Sequence, residues 1–327
     1  IARANLTESA LLEQLDYPAL FDLLQLPLPE TRRGIVESLV REGLAGRGAA
    51  GDLYITNLGA LLLAREMVAF PTVSRKTIRV VQYDGSSRAG GNEIQAGSRG
   101  YAGGFSGLQD YLHARLPSAE IVESGLRRHQ QVYPQRAIRE LVANMLIHQD
   151  LSVGGSGPMV EIFSNRIEFT NPGVPLIDVR RFIGQRPPSR NEALALFLTR
   201  VGISEGRGSG WEKIAAEVEL HQLPAPRITV ESDHTKVTLF APRPFSEMSK
   251  TERSEAVYLH TVLRFASSEA TTNTSIRARF GIAEQNSAQA SRLLTDAMDA
   301  GLILIEDVSV GTRLRRYVSF WSVAEVA

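Results

Sequence analysis

Cysteine is absent from the 327 residues of this chain. Without a thiol there can be no disulfide framework, no thiolate zinc site, no iron–sulfur cluster and no cysteine nucleophile. The 6 histidines are too scattered to indicate a zinc site, and no His-Glu-x-x-His motif occurs.

Lysine is scarce as well, because the 36 basic side chains include only Lys76, Lys213, Lys236 and Lys250. A P-loop needs Gly-Lys followed by Ser or Thr, and none of these lysines follows a glycine. A P-loop ATPase or helicase motor is therefore excluded from this segment. The remaining basic residues are arginines, which bind phosphates well, although a genomic base bias would give the same excess.

Long apolar runs are also missing. Runs such as residues 59–64 fall far short of the roughly 20 residues that a membrane helix needs, and no signal peptide opens the chain. We therefore expect a cytoplasmic protein without a membrane partner. The chain begins at Ile1 rather than Met, which suggests that a piece of a longer protein lies upstream. The 36 acidic residues balance the basic ones, which argues against a protein that coats polyanions.

The length predicts two or three domains at about 150 residues each, and the patterns divide the chain into residues 1–70, 71–245 and 246–327. In the first part, apolar spacing predicts helices at 15–24, 30–42 and 57–67, with a strand at 52–56. This order is compatible with a winged-helix-like unit, and a generic packing cap is an equal alternative.

The middle part alternates strands and helices, which predicts an α+β fold. We expect strands at 77–83, 158–163, 166–170, 227–231 and 236–240, and helices at 105–116, 134–148, 191–201 and 211–221. A Gly- and Ser-rich loop at 85–104 and an Arg-rich loop at 179–190 connect them.

Two polar residues of the helix at 134–148 are candidates for chemistry. Glu140 and Asn144 are four residues apart, so they lie on one helix face about 5 to 6 Å apart. That spacing allows a carboxylate to polarise a water molecule while the amide oxygen holds a metal ion that bridges phosphates. The alternative is the polar edge of an amphipathic helix, which is common.

The segments that follow carry a family resemblance. They are Arg139 to Asn144 with His148 and Asp150, Arg166 to Gly173, Ser189 to Asn191, Glu205 to Gly210, and Val237 to Leu239. Their order resembles the GHKL ATPase superfamily, which includes DNA gyrase, mismatch-repair proteins, heat-shock chaperones and histidine kinases. More closely, the chain is similar to the RecG-helicase C-terminal-like group of bacterial predicted transcriptional regulators. In that group a Schlafen-type AlbA-like domain comes first.

The resemblance implies a GHKL-like (Bergerat) α/β sandwich that binds ATP and Mg²⁺. Glu140 would be the general base, and Asn144 the magnesium ligand. The nucleotide would contact Asn171, Gly173, Gly206, Gly208, Ser209, Gly210 and Thr238. Asn171 stands where relatives place an aspartate, so guanine is less excluded at this position. Pro172 and Val174 interrupt the usual Asp-x-Gly-x-Gly turn, which puts turnover in doubt.

Two neighbouring features have alternative interpretations. The arginines Arg180, Arg181, Arg186 and Arg190 could clamp phosphates or nucleic acid, or they could form a solvated basic loop. His148 could order the metal shell, or it could be a structural histidine with a hydrogen bond.

The tail predicts two helices, a turn, a third helix at 286–300 and a hairpin, which is the order of a winged helix-turn-helix. In such a unit the third helix enters the major groove and the hairpin contacts the DNA backbone. The candidate DNA contacts are Gln289, Arg292, Arg313, Arg315 and Arg316. However, residues 251–327 hold eight arginines and nine acids, whereas DNA binders usually have a basic footprint. Dimerisation or protein docking is therefore the alternative.

These observations lead to three hypotheses. The first is a regulator in which a GHKL-like module senses ATP, and the winged helix, with the upstream AlbA-like domain, engages DNA. The second is a slow DNA-linked ATPase with Glu140 as its base. The third is a degenerate scaffold that binds no nucleotide and serves oligomerisation, for example as a homodimer.

Overall fold

The computed structural model describes residues 1–123, 126–185, 188–206 and 208–322. The chain opens with a small three-stranded sheet of order β1-β3-β2 and four helices. These elements are β1 (Arg3–Leu6), α1 (Glu8–Gln14), α2 (Tyr17–Leu24), α3 (Arg32–Arg41), β2 (Ala45–Arg47), β3 (Leu53–Ile55) and α4 (Asn57–Leu63). Threonine side chains accept a hydrogen bond from the third residue of α1, α3 and α4, at Thr7, Thr31 and Thr56. The sequence therefore sets where these helices begin.

The middle of the chain forms a six-stranded mixed sheet and four helices. Its elements are β4 (Arg79–Tyr83), β5 (Asn92–Ala96), α5 (Tyr101–Arg115), β6 (Ser118–Glu123), β7 (Leu126–Gln131), α6 (Gln135–Ile147), β8 (Met159–Ile162), β9 (Arg166–Pro172), α7 (Glu192–Arg200), α8 (Gly210–Leu220), β10 (Arg227–Glu231) and β11 (His234–Phe240). The sheet order is β10-β11-β9-β8-β4-β5. Strands β4 and β8 are parallel and the other neighbours are antiparallel, while β6 and β7 form a separate hairpin.

The two faces of the large sheet differ because side chains alternate along each strand. One face presents Val160, Phe169 and Leu239 to the main apolar core, which includes the buried face of α6. The other face carries the buried carboxylates of Glu161 and Glu168, which both receive hydrogen bonds from Arg88. The helix-covered face is therefore the one that can build a site around α6.

The tail consists of α9 (Lys250–Ala266), α10 (Asn273–Phe280), α11 (Ser287–Asp299), β12 (Ile303–Ile305) and β13 (Tyr317–Ser319). Helix α9 begins with a capping box between Ser249 and Glu252. Helix α10 ends at Gly281, which takes the left-handed conformation that favours glycine. A second apolar core holds the tail together, and Ile183 and Ala215 from the middle of the chain join it.

The predicted α+β class is confirmed, with eleven α-helices in the part of the chain that the structure describes. The helices predicted at 134–148, 191–201 and 211–221 agree with α6, α7 and α8 to within one residue. Strand β5 lies inside the predicted loop at 85–104, where all five of its residues are exposed and so carry no apolar alternation. Strands β12 and β13 are shorter than the hairpin strands that the sequence predicts at 302–308 and 314–320. No helix in the described ranges could cross a bilayer.

Candidate functional site

A cavity of about 550 Å³ opens between α6, α7, α8 and the ends of β9 and β11. Seven of the residues predicted from the sequence line it: Glu140, Asn144, Asn171, Gly206, Gly208, Ser209 and Gly210. An apolar rim surrounds this polar set, formed by Leu176, Ile177, Phe182, Leu196 and Trp211. A concave site with an apolar wall and a few convergent polar groups is typical of small-molecule binding.

Helix α6 supplies the polar wall of the cavity. Glu140, Asn144 and His148 recur every four residues, so they form one stripe along the helix. Burial raises the pKa of the Glu140 carboxyl above its usual range, and the opposing charges of Lys213 and Arg139 lower it by less. Burial and the charge of Arg190 both lower the pKa of His148. Histidine at this site is therefore neutral at physiological pH.

Asn144 has an unfilled hydrogen-bonding capacity. Its Nδ2 atom is buried and has no hydrogen-bond partner among the residues that the structure describes. A buried polar group without a partner costs free energy, so such a group needs an explanation. A ligand that enters the cavity and contacts the amide is one such explanation.

The start of α8 lies against the side chains of Glu140 and Asn144. A Cβ atom built on Gly210 would lie 3.1 Å from Oε2 of Glu140 and 3.4 Å from Nδ2 of Asn144. The N-cap residue Ser209 makes no side-chain capping hydrogen bond, so its side chain leaves the first N–H groups of the helix uncapped. Together with the positive end of the helix dipole, those groups suit an anion. Glycine at 210 permits this close approach.

The glycine-rich segment before α8 is shaped by backbone conformation. Gly206 and Gly208 have φ values of +62° and +76°, which disfavour residues with a Cβ atom. A Cβ atom on Gly206 would also come within 2.6 Å of Cγ2 of Thr199. Arg207 lies outside the described residues. The segment therefore needs its glycines at 206 and 208 to follow this path along the cavity.

The opposite end of the cavity is formed by β9 and β11. Asn171 pairs in register with Thr235, and both side chains line the cavity. Nδ2 of Asn171 donates to the carbonyl of Pro172 at 3.2 Å, so its Oδ1 atom is left to accept. The hydroxyl of Thr235 donates to the carbonyl of Gly173 at 2.6 Å, which leaves its lone pairs to accept.

Gly173 is required by its surroundings. Its φ is +103°, and a Cβ atom there would lie 2.8 Å from Cβ of Asp150. The residue does not line the cavity itself, but its backbone positions Thr235 beside Asn171 through the carbonyl that accepts the Thr235 hydroxyl. Its contribution to the site is therefore made by the backbone.

Thr238 does not reach the cavity, which corrects the sequence-based assignment. Thr238 pairs with Glu168, and strand alternation puts it on the face opposite Thr235 and Val237. The cavity is lined by Thr235 and Val237 instead. The signal was present in the sequence, because the apolar residues Val237 and Leu239 already mark the odd-numbered positions as the inner face.

The four arginines of the 179–190 loop separate. Arg190 lines the cavity and donates to the carbonyl of Val174 at 2.7 Å. Arg180 instead forms an ion pair with Glu255 of the tail, and Arg181 lies over the Trp321 ring. Arg186 lies outside the described residues. The proposed phosphate clamp therefore retains only Arg190 among the described members of the set.

Sequence reasoning also missed a charged residue that lines the cavity and its ion-pair partner, which lies beside the cavity without lining it. Glu205 lines the cavity, and its carboxylate forms an ion pair with Lys213 of α8. Lys213 lies close enough to Glu140 for its charge to oppose the rise in pKa. The spacing was a hint, because Lys213 comes three residues after the last glycine of the cluster.

The candidate DNA contacts lie far along the chain, in the tail. Arg292, Arg313 and Arg316 are exposed, whereas Gln289 and Arg315 are half-buried. Gln289 and Arg292 belong to α11. Arg313, Arg315 and Arg316 lie in the segment just before β13. The structure therefore presents three of the five side chains to solvent.

Comparison with known proteins gives two findings. Residues 155–239, about a quarter of the chain, match a family described as "Putative ATP-dependent DNA helicase recG C-terminal". This segment contains Asn171 and the glycine cluster, whereas Glu140 and Asn144 precede it. No curated protein matches the chain significantly.

Among solved structures, the chain is similar to the crystal structure of the DIP2311 protein from Corynebacterium diphtheriae, with a TM-score of 0.57 and 17% sequence identity. The similarity covers 99% of this chain, which spans 65% of the length of that protein. At this identity the similarity shows a shared fold alone.

Proposed function

We propose that residues 71–245 form a GHKL-type domain that binds ATP together with Mg²⁺. The observation that carries the proposal is the buried Nδ2 atom of Asn144, which has no partner among the described residues and lies beside Glu140 in a cavity that also faces the start of α8. The match of residues 155–239 to an ATPase-type family supports it independently. The triphosphate would lie between the Asn144 side and the N–H groups of α8.

The donor set fits a magnesium ion that arrives with the nucleotide. The described residues contain no group of three or more His, Asp or Glu that could hold a metal by themselves. Mg²⁺ commonly takes most of its ligands from phosphates and water, so the amide oxygen of Asn144 is a sufficient protein ligand. When bound, the ion would neutralise phosphate charge.

The base would lie at the end formed by Asn171 and Thr235. Oδ1 of Asn171 is free to accept a hydrogen bond from the amino group of adenine, because Nδ2 is engaged by Pro172. The apolar rim, including Leu176 and Phe182, would cover the faces of the ring. This arrangement transfers the role first assigned to Thr238 to Thr235.

Slow hydrolysis of ATP is the second candidate function. Burial raises the pKa of Glu140 towards neutrality, which suits a carboxylate that accepts a proton from water. Glu140 would hold the attacking water, and the start of α8 would stabilise the phosphate oxygens. Phosphate release that survives Glu140→Ala unchanged would exclude this role.

We further propose that the tail is a winged helix that binds DNA and responds to the nucleotide. Its order of three helices and a hairpin supports this assignment, and the exposed Arg292, Arg313 and Arg316 offer phosphate contacts. The same proposal includes an AlbA-like domain upstream, assembly as a homodimer, and domain limits at residues 70 and 245.

Residues 174–185 offer a route for the coupling. Leu176 and Phe182 line the cavity. On the other side of the segment, Arg180 donates to the carboxylate of Glu255 at 2.5 and 2.9 Å, and the Tyr258 hydroxyl donates to the carbonyl of Arg180. A ligand that repositions this segment would therefore act on α9. Such a shift requires that ATP bind the two arrangements with different affinity.

Isothermal titration with ATP and MgCl₂ tests the primary proposal. We expect saturable heat from the wild-type chain, and a loss of at least about tenfold in affinity for Asn144→Ala, since a charge-assisted contact contributes about 1.5–3 kcal/mol. The absence of heat from the wild-type chain would refute the proposal and favour a nucleotide-free scaffold. Thr238→Val, on the other face of the sheet, is the matched control and should bind as the wild type does.

A further inference from the structure

Lys213 occupies a particular place relative to the cavity. It lies three residues after Gly210, in the first turn of α8, and its Nζ atom forms an ion pair with the Glu205 carboxylate. Glu205 lines the cavity. The charge of Lys213 also acts on the buried Glu140 carboxyl. Lys213 does not itself line the cavity, but its ammonium group lies beside the cavity wall, at the residue that precedes the glycine cluster.

Among the described residues, the other cations near the cavity are engaged elsewhere. Arg139 donates to the carbonyl of Gly202 and lies over the Phe105 ring. Arg190 lies at the base end and donates to the carbonyl of Val174. Lys213 is different. It lies at the end of the cavity where Glu140 and Asn144 meet α8, and its partner among the described residues is a side-chain carboxylate, that of Glu205.

The three other lysines have no access to this end of the cavity. Lys76 donates to the carbonyls of Val153 and Ser156. Lys236 lies on the outer face of the sheet, near Glu231 and Glu168. Lys250 pairs with Asp296 in the tail.

We propose that Lys213 binds the terminal phosphate of the nucleotide. The Glu205 carboxylate would hold the ammonium group in place until the phosphate takes the place of that carboxylate. This proposal rests on the proposed function. Hydrolysis by Glu140 would require the terminal phosphate beside that carboxylate. Lys213 lies on the same face of α8 as Gly210, three residues away, and Gly210 packs against the Glu140 carboxylate. A phosphate carries more charge than a carboxylate, so it attracts the ammonium more strongly.

The exchange costs little on the side of Glu205. Its side chain is 52% exposed, so the carboxylate can return to water when Lys213 leaves it. Exposed ion pairs contribute little to stability, so little is lost when this one separates. The contact with Lys213 therefore makes the site selective for a triphosphate over a diphosphate, because ADP lacks the group that displaces Glu205.

The test measures the dissociation constants of ATP and ADP in excess MgCl₂ by titration calorimetry. For Lys213→Met we expect ATP to bind about 10- to 100-fold more weakly, as for the loss of a charge-assisted hydrogen bond, with ADP changed by less than about threefold. Lys213→Arg should recover most of the preference for ATP, since it keeps the charge. Glu205→Gln should bind ATP about two- to fivefold more tightly, because the competing carboxylate is gone.

Lys236→Met is the matched control. It removes a lysine from the outer face of the sheet, so both dissociation constants should stay at their wild-type values. An unchanged ratio of ATP to ADP affinity in Lys213→Met would overturn the role of Lys213 while leaving the proposed function intact. Binding of neither nucleotide by the wild-type chain would overturn both.

Discussion

Replacing Glu140 by Gln should make the protein more stable at neutral pH while removing the proposed base. The carboxyl is 8% exposed, and burial is the largest cause of its raised pKa. A raised pKa means that folding disfavours the ionised form. A neutral glutamine of the same shape avoids that cost. We therefore expect a gain in the range usual for a stabilising substitution, about 0.5–2 kcal/mol, seen as a higher melting temperature.

The pH dependence gives the sign of the effect. A carboxyl with a raised folded-state pKa contributes stability that is present below its unfolded-state pKa and is lost as pH rises through the folded-state pKa. The wild-type chain should therefore approach the stability of the Gln variant as pH falls towards the ordinary value of 4.5. Melting temperatures followed by circular dichroism from pH 4.5 to pH 8 measure the difference directly.

Glu161→Gln is the matched comparison for this prediction. Glu161 is also buried, at 1% exposure, but Arg88 donates to both of its carboxylate oxygens at 2.8 Å. Removing that charge should destabilise the protein by about 2–3 kcal/mol. A Glu140→Gln variant that melts below the wild type at pH 7, as Glu161→Gln should, would show that the Glu140 carboxylate is compensated by its surroundings and would refute the reasoning.

Three further predictions concern the ends of the cavity and its link to the tail. Gly173→Ala should cost about 2–4 kcal/mol of stability, because φ is positive at this position and a Cβ atom would lie too close to Asp150. Chemical denaturation measures the loss, and an unfolding curve equal to that of the wild type would contradict the described backbone. Thr235→Val should weaken ATP binding about three- to tenfold, through its lost hydroxyl, while Thr238→Val leaves it unchanged; equal effects would contradict the assignment of faces. Arg180→Ala should keep ATP affinity within about threefold but abolish the effect of ATP on the binding of duplex DNA, which fluorescence anisotropy measures. If ATP still changed DNA binding as it does in the wild type, the route through Glu255 would be excluded.

The tail also explains why its charge balance is a poor guide to its surface. Several of its charged residues pair with one another or with the rest of the chain, as Glu255 does with Arg180 and Glu269 with Arg264. Arg292, Arg313 and Arg316 stay exposed. The net charge of residues 251–327 therefore hides the local distribution of charge, on which a DNA contact depends.

Local patterns in the sequence were enough to predict several elements of the fold. Apolar spacing of three to four residues predicted α6, α7 and α8, and the four-residue interval of Glu140 and Asn144 placed both on one face. The absence of a lysine after any glycine excluded a P-loop. These inferences succeed because helix periodicity and short motifs depend on neighbouring residues only. Strand β5 escaped prediction because its side chains are exposed on an edge, where no burial imposes an alternating pattern.

Tertiary packing brings together the polar residues of the site. Glu140 lies on α6, whereas Glu205 and Lys213 come more than 60 residues later, and packing of α8 against α6 brings them close. The arginines of one loop divide between the cavity and the tail. Arg180 pairs with Glu255, and Arg181 lies over Trp321; both partners are more than 70 residues away in sequence. Such contacts arise from the folding of distant segments, and no local pattern records them.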